Sequence, residues 1–96
     1  MTTRKQLIQK GIDKLCDHLE ETLKETNLYS DVVKLKTMNV ETITTFLQEK
    51  IIPFEKDVEA CLEHLLKSYQ FDDEILGKVD QEKLKKFIQY FMKVFE

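Results

Sequence analysis

Two cysteines and two histidines are the side chains of this sequence with the widest chemical reach. Together they could close a tetrahedral zinc site, which takes thiolate and imidazole ligands in such a mix. Their spacing argues against it. Cys61 and His64 stand three apart and share a helix face, whereas Cys16 and His18 stand two apart and do not. No glycine-bearing knuckle accompanies either pair. His64 reads as a partly exposed histidine on the edge of an apolar stripe. Both cysteines fall on such stripes, which makes them buried, reduced thiols.

Carboxylates and serines offer no better chemistry. Asp13 with Asp17, and Glu59 with Glu63, are each one helical turn apart. Di-metal sites in helical bundles place a Glu three residues before an inward His. Here Leu15 precedes His18 and Cys61 precedes His64 at that distance, so the acid pairs read as solvated faces. Ser30 and Ser68, the sole serines, lie outside any glycine elbow. No phosphate-cradling glycine loop and no dinucleotide fingerprint occurs. No catalytic residue, metal ligand or cofactor is assigned. A short helical chain also has few concave sites for a substrate, and the sequence predicts a protein that is not an enzyme.

The elements that position these residues are written in the hydropathy. Apolar side chains return every three or four positions: Ile8, Ile12, Leu15, Leu19 and Leu23; then Val40, Ile43, Leu47 and Ile51; then Phe54, Val58, Cys61, Leu65 and Tyr69; then Leu84, Ile88, Phe91 and Phe95. That is the period of amphipathic helices. The reading is an all-α, compact four-helix bundle in a single domain over residues 1–96, with helices at about 3–26, 40–52, 54–70 and 81–95. Residues 27–39 read as a packed loop, and residues 71–78 as a connector with Asp72 and Asp73 as turn or cap residues and Gly77 free to take a positive φ. Pro53 either starts a new helix or kinks a continuous one, and a break is favoured. The expected core includes Ile12, Leu15, Leu19, Leu47, Phe54, Val58, Leu65, Leu84, Ile88 and Phe91.

The first helix carries its charges the wrong way round. Arg4, Lys5 and Lys10 crowd its positive end, and Glu20, Glu21 and Glu25 its negative end. Its stripe must therefore dock, or partner charges must complement both ends. Gly11 inside it costs about 1 kcal/mol against alanine, which packing must recover.

The chain of 96 residues has a net charge of −3 and one arginine, Arg4. Duplex-binding domains carry several arginines that fork onto phosphate or guanine, so nucleic acid is an unfavoured partner despite lysines at 83, 85 and 86. No membrane-length apolar run is present, and the charged start MTTRKQLIQKGIDK does not read as a leader. With two thiols on apolar stripes, the expectation is an intracellular protein, cytoplasmic or nuclear.

The C-terminal helix is apolar over an arc approaching 200°, against about 100° for an ordinary surface helix. Leu84, Ile88, Phe91 and Phe95 suffice to dock it; Phe87, Tyr90 and Val94 lie beside them on one flank. Those three form the candidate partner-binding surface, since aromatic residues favour such patches. The leading function is a non-enzymatic protein–protein interaction module, an adaptor, inhibitor or assembly subunit. Surplus apolar surface also suits a two-fold homodimer.

Residues 72–83 support an alternative. Gly77 stands at the sixth place of a twelve-residue calcium loop, Val79 at the eighth and Asp80 at the ninth, with Leu84, Phe87, Ile88 and Phe91 spaced as in an exiting helix. The segment resembles an EF-hand loop, and the layout of four helices with a long first loop resembles the S100 branch. Leu76 at the fifth place is no oxygen donor, and Lys83 stands where the bidentate Glu belongs. The resemblance therefore implies a calcium-independent interaction protein. A nucleic-acid-associated helical protein is the further alternative.

Overall fold

A computed structural model describes residues 2–69 and 71–96, which are helical with no strand among them. We label the helices α1 (Arg4–Leu23), α2 (Tyr29–Thr37), α3 (Val40–Lys50), α4 (Val58–Ser68), α5 (Asp73–Lys78) and α6 (Gln81–Val94). A 3₁₀ turn at Ile52–Phe54 joins α3 to α4. The all-α class and the single globule stand, with a radius of gyration of 13.0 Å, that of a compact chain of about 100 residues. The helix count does not: six helices form where four were read.

The two extra helices lie in the stretches read as loop and connector. α2 spans nine residues and α5 six, too short to hold themselves in water. Leu28 precedes α2 and gives it no side-chain cap, so nothing local announces the helix. Gly77 sits inside α5, and no described glycine has a positive φ. The remaining ends follow ordinary capping. Thr3 and Gln6 form a reciprocal capping box on α1, and Asn39, Asp57, Asp72 and Asp80 accept backbone N–H bonds at the starts of α3, α4, α5 and α6.

At Pro53 the helix is broken rather than kinked. The proline sits in the 3₁₀ turn, Glu55 follows at φ 55°, and Asp57 restarts the helix. The third expected helix therefore begins at Val58, four residues later than read, because residues 54–57 make the reversal. Its expected end at Gln70 lies outside the described residues. The first helix stops at Leu23, short of residue 26, where the Thr26 hydroxyl donates to the Leu23 carbonyl at 2.8 Å.

α1 is the hub on which α2, α3, α5 and α6 pack. Two buried clusters line it. The main one holds Ile8, Ile12, Cys16, Ile43, Leu47, Cys61, Ile88 and Phe91 among others, and joins α1, α3, α4 and α6. The second holds Leu23, Val32, Ile75 and Val79 and joins the end of α1 to α2 and α5. Of the expected core, Ile12, Leu47, Ile88 and Phe91 are buried. Leu15, Phe54, Val58, Leu65 and Leu84 are half-buried against the main cluster, and Leu19 against the second. The reversed charges of α1 find tertiary partners: Lys5 pairs with Glu41 of α3 at 2.7 Å, and Glu20 with Lys36 of α2 at 3.0 Å.

Candidate functional site

α1 and α6 run antiparallel along one seam. The Arg4 guanidinium lies 5.4 Å from the Phe95 ring centroid, the Tyr90 hydroxyl donates to the Leu7 carbonyl at 2.7 Å, and His18 faces Phe87 with ring centroids 6.4 Å apart. Gly11 lets the first half of this seam close. A Cβ there would stand 2.6 Å from Tyr90 Cε1 and 2.8 Å from Phe91 Cε1. The glycine that weakens the helix locally is thus what admits two aromatic rings against its backbone.

One or two turns further along, the seam opens. Lys14, Asp17, His18 and Glu21 of α1, with Lys83, Lys86 and Phe87 of α6, line a cleft of about 420 Å³. Phe87 and His18 are both half-buried there. The His18 Nε2 is shielded from solvent and has no hydrogen-bond partner, although buried polar atoms nearly always find one. None of the five charged residues lining the cleft closes an ion pair among the described residues, a state they share with several other surface lysines such as Lys10, Lys34 and Lys50. The opposite flank of α6 differs. A smaller groove of about 220 Å³ there is bridged by Lys85, bonded to Glu59 at 3.1 Å and to Glu82 at 3.2 Å. Those carboxylates hold the Lys85 ammonium above its ordinary pKa.

The sequence-predicted surface is split by this geometry. Phe87, Tyr90 and Val94 all pack in part against the main cluster, and only Phe87 lines the cleft. Tyr90 is tied to α1 by its hydroxyl and stands edge-on to Phe91 at 5.5 Å, so it holds the seam shut. Lys14, His18, Lys83 and Lys86 were not read as site residues. Their clustering is visible in the sequence, but which faces meet across the seam is tertiary information.

The other chemical candidates stay apart. Cys16 and Cys61 are buried in the main cluster. Burial pushes the Cys61 thiol up to about 11, and burial together with Glu20 and Asp13 raises that of Cys16. Both thiols are held in the protonated form, the opposite of what a nucleophile or a metal ligand needs. Among the described residues no three His, Cys, Asp or Glu side chains gather as a metal site. Ser68 Oγ lies 3.4 Å from His64 Nε2, but both residues are exposed on α4 and the pair is solvated. In the segment that resembles a calcium loop, Asp72 caps α5 and Asp80 caps α6, and the intervening residues are largely helix. Its carboxylates serve helix starts rather than a shared centre. No described helix is long and apolar enough to cross a membrane. No family model matches the chain, and no curated protein or solved structure matches it either.

Proposed function

We propose that this chain is a non-enzymatic protein-interaction module whose docking face is the open half of the α1/α6 seam. One observation carries the reading: a floor of the half-buried Phe87 ring and the His18 imidazole, whose Nε2 has no partner, is ringed by five charged residues, none with an ion-pair partner among the described residues. A half-buried aromatic inside a charged rim is the usual anatomy of a protein contact. The buried, protonated thiols favour a working place in the reducing interior of the cell, where such cysteines remain unpaired.

The test is affinity capture with the wild-type chain and with Phe87→Glu, each first checked for native helical content by circular dichroism. Binding partners of the wild-type chain are expected to be lost with Phe87→Glu. Their full retention would move the docking face elsewhere.

A further inference from the structure

The two walls of the cleft carry opposite charge. Asp17 and Glu21 project from α1, one turn apart, and Lys83 and Lys86 from the first turns of α6. Lys14 stands beside them on α1. No ion pair among the described residues joins the walls within the chain. A face that bears an acidic wall and a basic wall side by side, with the floor of Phe87 and His18 between them, is complementary to itself. A two-fold axis running along the cleft sets α1 of one copy over α6 of the other. It does so at the same level along both helices, because the four charges lie around one cleft. Isologous contacts have this reciprocal form, in which each residue meets its counterpart's partner.

Resting on the docking reading above, we propose that the occupant of the cleft is a second copy of this chain. Asp17 and Glu21 of each copy then lie against Lys83 and Lys86 of the other, over a shared floor of His18 and Phe87. Charge complementarity fixes the orientation: the alternative axis, across the helices, would set acid on acid and lysine on lysine. Like charges so placed oppose association. Lys14 lies on the same wall as the acids and meets only lysines in this pairing, so it weakens the contact.

Sedimentation velocity of the purified chain over a concentration series reaching about 1 mM tests this directly. The wild-type chain is expected to dimerise, and to do so less well as salt rises, since exposed ion pairs are screened. The double variant Lys83→Glu with Lys86→Glu, and separately Asp17→Lys with Glu21→Lys, should each weaken dimerisation about tenfold or more. Mixing the two variants should restore a dimer, because positions 17, 21, 83 and 86 are then all acidic in one and all basic in the other. The chain carrying all four reversals should dimerise by itself, which controls for folding. Lys14→Glu should leave the dimer unchanged or tighter; a loss there would place Lys14 against an acid of the other copy and overturn the pairing. A wild-type chain that stays monomeric overturns it too, while capture with Phe87→Glu still judges the docking reading separately. A dimer that survives both reversals places the contact on another face and overturns it as well.

Discussion

The two halves of the α1/α6 seam are built from the same pair of helices and end in opposite states. Near the start of α1, Gly11 gives up its side chain, Tyr90 reaches the Leu7 carbonyl, and Phe91 is buried against both. Near the end of α1, His18 and Phe87 meet only at 6.4 Å, and charged side chains stand around them without ion pairs. Apolar surface on α6 is thus divided between folding and exposure by what α1 offers it. A missing Cβ draws one set of rings inward. Opposite the next turn α1 presents charged side chains instead.

This contrast is open to attack, first at its closed half. Phe91→Ala removes a large, fully buried side chain and is expected to cost about 3 to 5 kcal/mol, a large share of the roughly 5 to 15 kcal/mol that holds a domain of this kind together. Urea denaturation measures it, and a loss below about 1 kcal/mol would mean the closed half is not the anchor described. Gly11→Ala gains about 1 kcal/mol in helix propensity but drives a methyl group into two constrained rings, and overpacking of that kind costs about 1 to 3 kcal/mol. The net expectation is a fall in melting temperature, and a rise would show that the close approach is not needed. Tyr90→Phe removes one hydrogen bond and is expected to cost about 1 kcal/mol by the same denaturation.

The fourth test asks whether the opening reaches inward. Cys16 lies on α1 beside the open half, yet it is buried with Cys61 in the main cluster. Burial raises both thiols, Cys61 to about 11. The folded chain therefore keeps protons that the unfolded chain releases near the ordinary thiol value. Stability should be retained below that value and lost as pH rises through about 11. Denaturation midpoints measured on both sides of that window check the slope, and a flat profile would mean that solvent reaches the thiols from the cleft. The smallest expected effect is the most telling. Lys83→Glu with Lys86→Glu, melted at a dilution where no dimer contributes, should lower the melting temperature only slightly, through repulsion from Asp17 and Glu21 across the cleft, because neither lysine has an ion-pair partner to lose.

How much of this was legible follows from helix length. The stripes through Ile8 and Ile12, through Ile43 and Leu47, and through Ile88 and Phe91 run long enough to show their period, and those helices form where the period places them. α2 and α5 complete too few turns to declare one. They exist because Val32 and Ile75 find Leu23 at the end of α1, a contact between residues far apart in sequence. The candidate site has the same history. Phe87, Tyr90 and Val94 share one flank of α6 and look equivalent there. Gly11, on another helix, decides that Tyr90 closes and Phe87 does not. The sequence shows that Gly11 is a local loss which packing must recover; which rings recover it depends on what lies opposite.

Lysine acylation read out by mass spectrometry, on the chain diluted and concentrated, tests the open half most directly. The account predicts that Lys83 and Lys86 lose reactivity on concentration while Lys34, Lys50 and Lys67, which do not line the cleft, keep theirs. Uniform reactivity at every concentration, or protection at those three with none at Lys83 and Lys86, would contradict it.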